Sequence, residues 1–152
     1  MPRRLIDQQL PPQGPGFVTY NRETSGADQY GQPATIEAVK RVGLAWSAQH
    51  PDRPFSVGDI SRKGGGKFAP HGSHRHGLDV DVRPMRKDGK NLKVTVKEAE
   101  YDSDLTLELI RLFRKLAHVD LILFNDKAAI NAGLSREYAG HDNHLHIRLH
   151  QI

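Results

Sequence analysis

Seven of the nine histidines bunch in two short windows: His71, His74 and His76, then His141, His144, His146 and His150. Imidazole is the commonest metal ligand, and its ordinary pKa lets it trade a proton near neutrality. The chain has no cysteine, so any metal must be held by imidazole and carboxylate. In the second window His144 and His146 stand two residues apart. On a strand such residues point to one face, side by side, with Leu145 and Ile147 turned to the other. The first window, HGSHRHGLDVD, supplies the partners. His74 sits among glycines that let the backbone approach closely, and Asp81 follows seven residues later. A catalytic zinc takes three protein ligands, commonly histidines with a carboxylate, and keeps a fourth position for water. His74, Asp81 and the His144/His146 pair would meet that need. Asp79 shares a face with Asp81 and is the rival carboxylate. Taken singly, these residues have ordinary readings: exposed strand histidines, a loop histidine, an acid paired with Arg83 or Arg148. Those readings leave the bunching unexplained.

Such a site needs a scaffold. LDVDVR over 78–83 alternates as a strand, with Leu78, Val80 and Val82 on one face and Asp79, Asp81 and Arg83 on the other. His144 to Leu149 alternates as a closing strand, Val119 to Phe124 is apolar apart from Asp120 and of strand length, and Phe55 to Ile60 alternates as a short strand. Ile36, Val39, Val42 and Trp46 predict an amphipathic helix over 35–49, opened by Pro33-Ala34-Thr35 and closed by His50-Pro51. Asp102 and Ser103 would cap a second helix whose core face is Leu105, Leu109, Leu112, Phe113 and Leu116. A short helix is expected over 126–132, ending at Gly133. Leu92 to Val96 is expected as a further strand after a polar loop or hairpin. Ser61 to Pro70 is a glycine-rich, substrate-facing loop without the Lys-Ser/Thr of a phosphate cradle. Residues 1–33, rich in proline and glycine, read as an extended arm or loop with little regular structure, and 34–152 as the domain proper, one domain overall. The fold class expected is α+β: a small, mainly antiparallel sheet with two main helices.

The run VGDISRKGGGKFAPHGSHRHGLDVDV, together with HDNHLHIRL near the end, resembles the penicillin-insensitive murein endopeptidases. These fall within the wider group of zinc peptidases that includes lysostaphin, the D-Ala-D-Ala peptidases and the hedgehog domain. The resemblance covers roughly residues 54–84 and 119–149 and takes in VDLILFND as a central strand. It implies that group's fold and a zinc ion held by His74, Asp81 and His146, so it favours Asp81 over Asp79. His144 matches the histidine that serves as general base or stabilises the transition state. His71 and His141 match further active-site histidines, expected to line the cleft. The activity implied is hydrolysis of a peptide bond in the murein stem or cross-link by zinc-activated water. His76 departs from the family pattern and reads as a rim residue. Arg148 is expected to pair with a carboxylate, and Ser73 to support its loop.

Composition narrows the field. The chain has 152 residues, 37% hydrophobic and 26% charged, which suits one soluble domain. The net charge of +4 is dispersed, and no nucleic-acid motif is visible. No run approaches the roughly 20 apolar residues of a membrane span. Rival readings are a D-alanyl carboxypeptidase of the same group and a non-catalytic zinc-containing wall-binding module. A peptidoglycan substrate implies action in the cell wall or periplasm. The N-terminus shows no recognisable signal peptide. A mature form, a phage lytic enzyme or a secreted effector is therefore expected, the last with a cognate inhibitor or delivery partner.

Overall fold

The computed structural model describes residues 6–21, 26–65, 74 and 76–150. Strand β1 (Gln8–Gln9) pairs with β4 (Tyr30–Gly31) in a small antiparallel sheet. The main sheet has six strands: β2 (Gln13–Gly14), β3 (Phe17–Thr19), β5 (Phe55–Val57), β6 (Asp79–Val82), β8 (Leu145–Leu149) and β7 (Val119–Leu123), in that spatial order. Among these six strands, the β3–β5 pair is parallel and the other pairs are antiparallel. Among the described residues there are three helices: α1 (Pro33–Gln49), α2 (Ser103–Leu116) and α3 (Lys127–Asn131). The class is α+β, as expected.

Each helix follows from its ends and its apolar stripe. Pro33 opens α1, where its missing N–H costs nothing. Ile36, Val39, Val42 and Trp46 are buried along one side. The start of α1 is fastened to the chain entering β6. Thr35 Oγ1 donates to the Gly77 carbonyl at 2.6 Å, and Gln32 Nε2 to the His76 carbonyl at 2.8 Å. Asp102 caps α2 by accepting from the Leu105 N–H, and Arg114 and Lys115 suit the negative end of its dipole. Its buried face is Thr106, Leu107, Leu109, Ile110 and Phe113; Leu105, Leu112 and Leu116 are only partly buried. Asp126 caps α3 through the Ala128 N–H and also accepts from the Ser103 hydroxyl, so the starts of α2 and α3 are tied together.

The core lies on one face of the sheet. Val80, Ile147 and Ile122 form one row across β6, β8 and β7, and Val82 with Leu145 forms the next. These residues join Trp46, Phe55 and Phe113 in one buried cluster, with the Phe55 and Phe113 rings edge to face at 5.5 Å. At roughly 1.5–3 kcal/mol per buried apolar side chain, this face is what holds the opposite, polar face flat enough to carry a site.

Three expectations need correction. Leu92–Val96 forms no strand: Val94 is buried, but Thr95 and Lys97 are engaged in local turns with Glu98 and the Thr95 hydroxyl. The proline- and glycine-rich N-terminal segment supplies four short strands, two of them in the main sheet. It can lie so close because Gly43 faces it. A Cβ at Gly43 would stand 2.4 Å from the Pro15 carbonyl oxygen, so any larger residue would push the segment off α1. Finally, β5 stops at Val57 and β8 starts at Leu145, so His144 sits just ahead of its strand.

Candidate metal centre and its cleft

Register places the polar residues. Asp81 lies opposite His146, Asp79 lies opposite Arg148, and Leu123 of β7 flanks His146 on its other side. Residues paired across strands share a face, so Asp81, His146 and Leu123 form one row on the side away from the core. That side is the floor of a cleft of about 1010 Å³. His74 arrives from the loop before β6. Its Nδ1–H donates to the Ile60 carbonyl at 2.6 Å, and the Ser61 hydroxyl donates to the His74 carbonyl at 3.2 Å. A carbonyl can only accept, so Nδ1 carries a proton and Nε2 is the nitrogen turned inward.

Three atoms converge there. Asp81 Oδ1 stands 3.2 Å from His74 Nε2 and 3.7 Å from His146 Nδ1, and all three lie within 4.8 Å of one another. That oxygen is buried and accepts no well-directed hydrogen bond among the described residues. His146 is fixed from its far side: its Nε2–H donates to Asp79 Oδ1 at 2.8 Å, and Arg148 Nε donates to the same oxygen at 3.0 Å. Asp79 is thus spent on orienting His146, and Arg148 has the carboxylate partner expected of it.

The electrostatics follow from this packing. Burial opposes ionisation of Asp81, but the His74 imidazole foremost, with His144 and His146 behind it, holds the carboxyl below its usual range. Burial likewise opposes ionisation of Asp79, and His146 with Arg148 overcomes it. For His74, burial alone would lower the pKa; the Asp81 carboxylate and the Ile60 carbonyl more than offset that and raise it. A positive charge is therefore favoured between His74 and Asp81, whether carried by a proton or by a metal ion.

A second group adjoins the first. His141, His144 and His146 also offer ring nitrogens within 4.8 Å of one another. The His141 and His144 rings stand 4.6 Å apart. Each is held through Nδ1: His141 at the Ala139 carbonyl, 3.1 Å away, and His144 at Asn143 Oδ1, 2.8 Å away. His144 is pushed below the usual imidazole pKa, by burial first and by the neighbouring histidines, against the pull of Asp81. That shift favours the neutral imidazole. His76 is exposed. His71 and Ser73 lie outside the described residues, as does Gly66 of the glycine run.

The family model for penicillin-insensitive murein endopeptidases matches residues 6–129. The chain belongs to that family. The match takes in His74, Asp79 and Asp81 and stops short of His141, His144 and His146. No curated protein matches the chain.

In this murein endopeptidase-family chain, the structure also brings to the cleft residues that sequence reasoning passed over. Tyr20, from the segment read as an arm, lines it next to Arg83, whose guanidinium stacks 3.9 Å over the tyrosine ring. The ring lies across Gly58, where a Cβ would stand 2.4 Å from the ring. Burial first, then the Asp81 carboxylate, pushes the phenol pKa well up, so the hydroxyl stays a donor. The one signal in the sequence was the glycine in the run VGD, whose missing side chain makes that room. Arg136 and Tyr138 line the opposite end of the cleft, beyond β7.

Proposed function

We propose that the chain is a zinc-dependent peptidase of the lysostaphin, D-Ala-D-Ala peptidase and hedgehog type, cleaving a peptide bond in the murein stem or cross-link. The observation that carries this reading is the buried Asp81 Oδ1, with no well-directed hydrogen bond among the described residues and facing two imidazole nitrogens whose opposite nitrogens are already engaged. Ligand atoms around a tetrahedral zinc stand about 3.3–3.5 Å apart. The separations of 3.2 and 3.7 Å bracket that spacing, so the donor set fits the ion. His74, Asp81 and His146 would hold it, with Asp79 fixing His146 from behind. Zinc bound there supplies Lewis acidity toward a carbonyl and a water whose pKa is lowered toward about 7.

The chain's own groups do the rest. Neutral His144, beside His146, accepts a proton from the attacking water and returns it to the leaving amine. His141 packs on His144 and has Nδ1 on the Ala139 carbonyl, so it would offer a donor to the charge that develops on the carbonyl oxygen only in its protonated form. His71 is assigned to the same active site on the family resemblance. The cleft reaches past the candidate ligands in both directions, from Tyr20 to Arg136, which favours cutting within a peptide over trimming its end. The substrate places the site of action in the cell wall. No helix among the described residues is long and apolar enough to cross a membrane.

Incubation of purified sacculi with zinc-loaded and chelator-treated protein tests the reading, with fragments identified by mass spectrometry. Loaded protein is expected to release peptides whose masses name the bond, and treated protein to release none until zinc is restored. Intact sacculi under both conditions would refute it. The support for His146 gives a second expectation. Asp79→Asn keeps the shape but removes the charge that holds the ring, and zinc affinity should fall about 10- to 100-fold. Titration against a chelating dye reads that loss, and unchanged affinity would remove Asp79 from the site.

A further inference from the structure

The sheet does not end at β7. Residue 136 forms a single parallel bridge with Leu123, its N–H donating to the Ile122 carbonyl at 2.9 Å and its carbonyl accepting from the Phe124 N–H at 3.0 Å. The same segment is strapped at Tyr138. Asn125 Nδ2 donates to the Tyr138 carbonyl at 2.9 Å, and Asn125 Oδ1 accepts the Tyr138 N–H at 2.8 Å. Leu123 is itself opposite His146, and His146 is opposite Asp81. Asp81, His146, Leu123 and Arg136 therefore occupy one continuous row, and their side chains share the cleft face. Arg136 stands two strand spacings, about 10 Å, from His146.

Its charge has no other evident use. Arg136 lines the cleft and is exposed, and no acidic side chain is within ion-pair distance of it among the described residues. The other two cleft arginines are engaged: Arg148 with Asp79, Arg83 with Tyr20 and Asn91. Glu137, the next residue, also lines the cleft and would repel an anion, so Arg136 must outweigh it for an anion to dwell there.

We propose that Arg136 is a specificity-determining residue: its guanidinium takes a free carboxylate of the peptide substrate, two to three residues from the scissile bond. An extended peptide advances about 3.3 Å per residue, so a 10 Å offset corresponds to that distance along the substrate. A guanidinium held on a pinned backbone offers a carboxylate a bidentate seat. The inference rests on the peptidase reading, since murein peptides carry free carboxylates within the chain, where ordinary peptides of neutral residues carry none.

The test uses cross-linked murein peptides in which each free carboxylate in turn is converted to its amide. One amidation should lower kcat/KM of the wild-type protein about 10-fold, the scale of a lost charged hydrogen bond. Arg136→Gln should cleave the acid and the amide equally well, at the wild-type amide rate, with zinc content and melting unchanged. Arg136→Lys should restore part of the preference. Raising the salt should shrink the wild-type ratio. The proposal is overturned if no amidation matters to the wild type, or if Arg136→Gln keeps the wild-type ratio. If the wild type cleaves none of the peptides, the peptidase reading fails and the subsite is judged by binding alone. Titration of the same peptides into the full chain must then show tighter binding of the acid, abolished by Arg136→Gln; equal binding of acid and amide overturns the subsite.

Discussion

His146→Ala should lose both zinc retention and murein cleavage. The residue is 6% exposed and stands where two carboxylates meet it, Asp79 at Nε2 and Asp81 at Nδ1. Removing it takes away one of three proposed ligands and leaves Asp79 with Arg148 as its remaining described ion partner. The loss should exceed the roughly 100-fold that second-shell changes reach, because a donor itself is gone. The fold should survive, since Leu145 and Ile147 hold β8 against the core from the other face. Metal analysis of the dialysed variant, with a melting curve as control, gives the answer. A folded variant that still holds one equivalent of zinc would show that the ion sits elsewhere, with the cluster His141 and His144 as the place to look.

His144→Ala separates holding the metal from using it. The ring belongs to the neighbouring cluster and is outside the proposed ligand set, so zinc content should stay near the wild-type level. Turnover should fall by about 10²- to 10⁴-fold, the range for loss of a positioned general base. The decrease should appear in kcat more than in KM, because proton transfer is made only on the way to the transition state. Full activity in His144→Ala would transfer the proton-handling role to His141, whose ring lies against it.

The parts of this fold that were legible in the sequence are those with long or repeated patterns. Helix α1 spans 17 residues and α2 spans 14, enough for an apolar stripe and its caps to declare themselves. β6 and β8 alternate strictly, so the polar face carrying Asp79, Asp81 and His146 could be read directly. The choice between the two aspartates could not be made from alternation, because residues two apart share a face. The family resemblance favours Asp81, and the strand register sets Asp81 against His146 and Asp79 against Arg148. Strands of two or three residues, as in the N-terminal segment, are too short to show a period, and their stability comes from neighbours far along the chain. Val94 misled in the opposite way, as a buried anchor in a loop that needs no partner strand. Tyr20 and Arg136 were invisible as cleft residues for the same reason: one reaches the cleft across a glycine, the other through a single bridge.

Strand β8 follows both β6 and β7 along the chain, yet it lies in the interior of the sheet. β8 is inserted between β6 and β7, which make no pairing with each other. While the polypeptide is still being made, those two edges have nothing to join them, and Asp81 has no imidazole across from it. A site built this way needs both distant segments at once, because Asp81 and His146 come face to face only where β8 pairs with β6.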